Sequence, residues 1–197
     1  MLEKIGSNTS GLIMIMIFII LLGIVIMIIP IFKRNKKIKD NQNENLGLND
    51  TEIKKIDDTL NKGELIKDIF AIYKKAEVAK SKFDYETLKQ LLTEILYKEE
   101  EQKLKLLKAN KQKLVATNIK LQEIKLLSIK NIDEATFVEA YLYVSEYNYV
   151  IDSKKKVIRG TDEAEYQIEY KITLEKNIDK HFKITKLECT GKWIKNN

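Results

Sequence analysis

The 197-residue chain has one cysteine, one histidine, one proline, one tryptophan and seven glycines. Each scarcity closes off a class of function. Cys189 has no second thiol to pair with, so an internal disulfide is impossible, which suits a reducing compartment. One cysteine and one histidine cannot supply the ligands of a structural zinc site. His181 alone offers no set of candidates for a Ser-His-Asp or Cys-His-Asp arrangement. The glycines are dispersed and form no phosphate-cradling loop. No catalytic residue, metal ligand or cofactor is assigned, and a non-enzymatic role is expected. His181 follows Lys180 at a strand start and is expected at the surface. Cys189 alternates with Leu187 and is expected to be a small buried apolar side chain.

Charge is absent from Ile5 to Phe32, and within that stretch Leu12–Phe32 is almost continuously apolar. A helix needs about 20 such residues to cross a hydrocarbon core of about 30 Å. A cleaved signal peptide is the competing reading, but it requires a basic start, a shorter apolar core and a small-residue cleavage site. Here Glu3 offsets Lys4, the run is too long, and basic residues follow it. An uncleaved membrane anchor is therefore expected over residues 12–32. Pro30 stands near its end, where few helical hydrogen bonds remain to be broken.

Of the net charge of +6, the cluster Lys33, Arg34, Lys36, Lys37 and Lys39, set against Asp40, carries +4, leaving +2 from Asn41 onward. Basic residues are retained on the cytoplasmic side of a membrane. The expected placement is therefore the cell (plasma) membrane, with residues 1–11 outside and the C-terminal domain in the cytoplasm. The same five basic side chains are the candidate contacts to anionic lipid headgroups. The nearly neutral remainder lacks a nucleic-acid-binding stripe, so no direct nucleic-acid partner is expected. Residues 33–50, basic and then Asn-rich, read as a linker, and residues 51–197 as one domain.

Within that domain Ile53, Ile56 and Leu60 form a short amphipathic turn. Leu65, Ile66, Ile69, Phe70, Tyr73 and Ala76 then recur at the spacing of one helix face. Asp84 is placed to cap a second helix whose buried stripe is Leu88, Leu91, Leu92 and Ile95. Lys98–Lys113 extends that helix or adds another. Ile119–Ile132 has shifting alternation and is compatible with helix or bent strand; the strands that follow favour strand. Phe137–Asp152 alternates, with Val138, Ala140, Leu142 and Val144 on one face and Phe137, Tyr141, Tyr143, Tyr147 and Tyr149 on the other. If exposed, that aromatic face would favour self-association.

Ser153–Lys156 reads as a hairpin tip. Tyr166, Ile168, Tyr170, Ile172 and Leu174 then alternate with polar residues. Phe182 and Ile184 are out of phase with Leu187, Cys189 and Trp193, which predicts a β-bulge. Helices followed by about four antiparallel strands indicate an α+β domain.

The stretch Ile66–Tyr97, with Phe70, Ala76, Asp84, Leu88, Leu91, Leu92 and Tyr97 in order, resembles the opening helices of the Tim44-like domain family. Ile158, Gly160, Tyr166, Tyr170 and Leu174 resemble its hairpin, and Lys192-Trp193 its closing strand. The resemblance covers about Leu65–Ile194. It implies a nuclear-transport-factor-two-like (cystatin-like) cone, with helices packed on a curved four-stranded antiparallel sheet around an apolar pocket. Phe70, Tyr73, Leu92, Tyr166, Ile168 and Tyr170 are the candidate pocket lining. The family's members dock at membranes and bind lipids, translocation channels, chaperones or the ribosome. The implied role is a single-pass docking protein for a protein partner or lipid, in protein translocation or membrane protein biogenesis. A ribosome- or translocon-associated factor is the alternative, and a pocket enzyme of the same superfamily a third. Against the enzyme, no Asp, Glu or His shares the strand alternation of Tyr166 and Tyr170.

Overall fold

Local chemistry sets the helix boundaries. The structure is a computed structural model and describes residues 47–56, 60–176 and 181–194. The apolar run Leu12–Phe32 and the basic cluster from Lys33 to Lys39 lie outside the described residues. No helix among the described residues is long and apolar enough to cross a membrane.

Helix α1 spans Asp50–Ile56 and buries Ile53 completely. Asn49 and Glu52 close its start by reciprocal side chain–backbone hydrogen bonds of 3.0 and 2.8 Å, a capping-box arrangement. Helix α2, Lys62–Lys82, starts where the Asn61 side chain accepts from the Gly63 and Glu64 amides. It ends at Phe83, which adopts the left-handed conformation at φ 54°. Asp84 then caps α3, Tyr85–Leu91, accepting from the Thr87 amide at 3.0 Å, as the sequence predicts.

Helix α3 stops earlier than the leucine spacing predicts. Leu92 is extended and forms an isolated parallel bridge with Ile184, and the Thr93 amide donates to the Ile184 carbonyl at 3.0 Å. Helix α4, Glu94–Ala109, starts in a new phase. Ile95, expected in the buried stripe with Leu92, is therefore 76% exposed, whereas Leu92 stays buried. Two extended residues between the helices rotate one face away from the other.

Among the described residues five strands follow: β1 Lys113–Ile132, β2 Ala135–Ile151, β3 Val157–Arg159, β4 Tyr166–Lys176 and β5 Phe182–Ile194. The long ones pair antiparallel in the order β1-β2-β4-β5, and β3 pairs with the end of β2. Strand β1 carries register shifts after Thr117, Leu121 and Leu126, which explains its shifting alternation. The bulge expected in the last strand is present, with shifts on both sides of the Tyr170–Thr173 segment. The turn after β2 is tied by Asp152, whose carboxylate accepts from the Lys154 and Lys156 amides. Gly160 at φ 81° leaves β3; a Cβ there would lie 2.8 Å from the Asn148 carbonyl oxygen.

Val138, Ala140, Leu142 and Val144 of β2 face the helices with Ile168, Ile172 and Leu174 of β4, and all are buried. Leu65, Ile69 and Tyr73 of α2 pack onto them in one core. The α+β architecture of helices on an antiparallel sheet is the one expected. Tyr141, Tyr143, Tyr147 and Tyr149 fall on the opposite face and are half-buried. Charged neighbours crowd that face: Lys125 stands 5.5 Å over the Tyr143 ring, and Lys171 is 3.5 Å from Glu139.

Candidate functional site

Helix α2 changes character along one face. Residues separated by three, four or seven positions share that face. Leu65 and Ile69 continue into Tyr73, Glu77 and Lys80, all buried. Glu77 and Lys80 turn a hydrophobic stripe into a polar one without leaving the interior. The Lys80 ammonium lies 2.8 Å from Glu77 Oε1 and 3.3 Å from Glu100 Oε2 of α4. Burial disfavours the Lys80 cation, but the carboxylates of Glu77 and Glu100 outweigh it and hold its pKa above the ordinary value. Burial likewise opposes the Glu100 carboxylate, yet Lys80 and Lys103 hold its pKa below the usual range.

Beside this triad lies a second group from the sheet. Glu146 is the next inward position of β2 after Val144 and is completely buried. The Tyr73 hydroxyl donates to its Oε2 at 3.1 Å, and the Asn148 amide donates to its Oε1 at 2.7 Å. Burial, reinforced by the charge of Glu77, pushes the Glu146 carboxyl up to about 7. Tyr170 of β4 stacks obliquely on Tyr73, with ring centroids 5.3 Å apart. Burial and then the Glu77 charge raise both phenols above their ordinary pKa. Lys192 of β5 sits 4.0 Å over the Tyr166 ring; its own burial lowers its pKa.

The polar cluster forms one wall of a cavity of about 760 Å³ between α4 and strands β4 and β5. Glu77, Lys80, Glu100, Asn148 and Tyr170 reach it from the polar side. Ala76, Leu92, Leu96, Leu114, Ile184 and Leu187 supply apolar wall, and the exposed Ile95 stands at the lip. Every buried side-chain nitrogen and oxygen among the described residues has a hydrogen-bond partner. The cluster thus braces α2 against α4 and the sheet, and the apolar wall lines the cavity beside it.

Of the six residues predicted to line a pocket, Leu92 and Tyr170 line this cavity. Tyr73 and Ile168 lie behind it in the core, at 0% and 2% exposure. Phe70 is half-buried under the Lys74 ammonium, and Tyr166 lies under Lys192. No acidic residue shares the β4 alternation of Tyr166 and Tyr170, but two approach the tyrosines from other elements: Glu146 of β2 pairs across the sheet with Tyr166, and Glu77 of α2 faces Tyr170. Reading β4 alone hid both. The available signals were a carboxylate on the inward alternation of β2 and charges on the buried face of α2.

Cys189 is also corrected. It is exposed, because it pairs with inward Tyr170 where the cavity opens. His181 is exposed, as expected, at the rim of a separate groove of about 620 Å³ between α2, α3 and β5. The headgroup candidates Lys33, Arg34, Lys36, Lys37 and Lys39 fall outside the described residues. No group of three or more His, Cys, Asp or Glu among the described residues is arranged to hold a metal ion.

A family model described as the Tim44-like domain matches residues 47–188, from just before α1 into β5. Among solved structures, the chain is similar to the crystal structure of the intermembrane space region of the chloroplast protein ARC6. The identity is 19%, covering 60% of this chain and 91% of that one, at a TM-score of 0.41. A comparison with curated proteins finds no match.

Proposed function

The chain belongs to the Tim44-like domain family, and on that premise we propose that it is a membrane-anchored docking protein rather than an enzyme. The observation that carries this reading is the cavity between α4 and the sheet. Its apolar wall is open, its lip bears an exposed isoleucine, and the buried polar side chains around it are already satisfied. Such a surface gains free energy by covering apolar area, at about 25 cal/mol per Å². It suits an apolar side chain of a partner protein or an acyl chain.

In this reading Leu12–Phe32 spans the plasma membrane with the short N-terminus outside. Lys33, Arg34, Lys36, Lys37 and Lys39 contact anionic headgroups, and the domain works at the cytoplasmic face in protein translocation or membrane protein biogenesis.

The test is site-specific photocrosslinking of the full chain in intact membranes, from Ile95 or Leu187 at the cavity and from Tyr141 on the outer sheet face. Protein or lipid adducts confined to the cavity positions are expected. Equal adducts from all three positions, or none above an anchor-only control, would refute the docking role. Adducts to ribosomal proteins, with co-sedimentation lost at modest salt, would identify the ribosome as the partner.

A further inference from the structure

A second groove, of about 620 Å³, runs between the later turns of α2 and the outer edge of β1. It shares only Leu114 with the cavity above. Its floor is Val78, Val115, Ala116 and Ile119. Strand β1 ends the sheet order, so its backbone has a strand on one side only. Among the described residues this free edge is engaged at two places. The Leu126 carbonyl accepts from the Leu48 amide at 2.9 Å, and the Ala116 amide donates to the Ser81 hydroxyl at 3.1 Å. The Ala116 bond shows which residues of this half face outward, since alternate residues of an antiparallel strand direct their amides and carbonyls away from the partner. Leu114 shares that phase.

The charged side chains that line the groove are all lysines. Lys74, Lys82, Lys113 and Lys120 stand along it, and no acidic residue lines it. Lys120 is paired with Glu165 at 3.1 Å. Lys74, Lys82 and Lys113 make no ion pair among the described residues, Lys74 lying instead 5.9 Å over the Phe70 ring. A strand edge open at Leu114, an apolar floor beside it and a lysine rim coincide.

We propose that this edge binds an extended acidic peptide segment of a partner protein as an added strand. The partner's backbone would pair with β1 at Leu114, beside the Ala116 amide that Ser81 already holds, its apolar side chains would enter the groove, and its carboxylates would meet the lysines. An anionic lipid would satisfy the rim and the floor but not the backbone edge. The proposal goes beyond the cavity reading and can fail independently of it.

The probe is a labelled synthetic peptide of about ten residues alternating Glu with Val, Leu and Thr, titrated against the full chain in neutral detergent micelles. Saturable binding is expected. It should weaken at least about tenfold when alternate peptide amides are N-methylated, and by a similar factor in Lys82→Glu/Lys113→Glu. Both lysines are exposed, so the variant should fold; an unchanged circular dichroism melt checks this. The N-methylated peptide provides the same test without any mutation. Absence of saturable binding, or binding indifferent to N-methylation, would overturn the proposal. So would saturable binding of dioctanoyl phosphatidylglycerol that the variant abolishes while the peptide fails to bind; the groove would then be a lipid site.

Discussion

The two halves of helix α2 are buried to the same degree and differ in kind. Leu65 and Ile69 meet a wall of aliphatic side chains from the sheet. Tyr73, Glu77 and Lys80 meet carboxylates and a phenol. The first half resembles any two-layer interior and needs only apolar area to hold it. The second holds charges that a purely structural interior has little reason to keep, because well-packed apolar residues often do as well or better. The cavity opens at the polar half. The difference suggests that the apolar half carries stability and the polar half shapes the surface that meets a partner.

The comparison is tested most severely at Lys80. Lys80→Ala strands Glu77 without its cation and leaves Glu100 with Lys103 alone, and should cost about 3–5 kcal/mol in urea denaturation. Replacing Lys80, Glu77 and Glu100 together by Met or Leu should restore stability to within about 1 kcal/mol of wild type or exceed it. If the triple replacement stays as unstable as Lys80→Ala, the polar half is structural after all. In the apolar half, Ile69→Ala should cost about 2–4 kcal/mol as a cavity-forming truncation, by the same amount from pH 5 to pH 8.

Glu146 separates the halves by pH. Its folded pKa of about 7 lies above the usual 4.5, so the folded state holds a proton that the unfolded chain releases. Its contribution to stability is therefore present below about 4.5 and is lost as pH rises through about 7. Tyr73, Asn148, Glu77 and Lys192 are the groups that face it. The stability of Glu146→Gln relative to wild type should rise across that window by about 1–3 kcal/mol and then level off. A difference that stays flat across the window would show that Glu146 is ionised throughout. The smallest effect belongs to the surface of α4. Lys98 and Glu94 pair at 2.6 Å with side chains 64% and 79% exposed, so Lys98→Ala should change stability by less than about 0.5 kcal/mol.

Much of the scaffold was legible because single periodicities govern it. The stripe of α2, the cap at Asp84, the alternation of β2 and β4 and the bulge in β5 follow from spacing and side-chain chemistry alone. The break at Leu92-Thr93 was not legible. The leucine spacing runs on through Ile95, and the interruption is made by Ile184, about ninety residues away, accepting the Thr93 amide. The site was legible only in part for the same reason. Tyr170 and Leu92 could be chosen as apolar, inward-facing residues. The polar cluster joins α2, α4, β2 and β4, and no window of sequence shows that Glu77, Lys80, Glu100 and Glu146 converge. A charged residue on a buried alternation is the trace such a cluster leaves in the sequence.

Cys189 offers the most direct test of whether the cavity is a docking surface. It is the sole cysteine, it is exposed, and it lines the cavity. The measurement is its maleimide alkylation rate in intact membranes against that of purified full-length protein. Cys189→Ser/Tyr141→Cys serves as the outer-face control. An occupied cavity predicts alkylation slowed by at least about tenfold in membranes at Cys189 and little changed at position 141. Equal rates at Cys189 in membranes and in purified protein, or slowing at position 141 instead, would contradict the account.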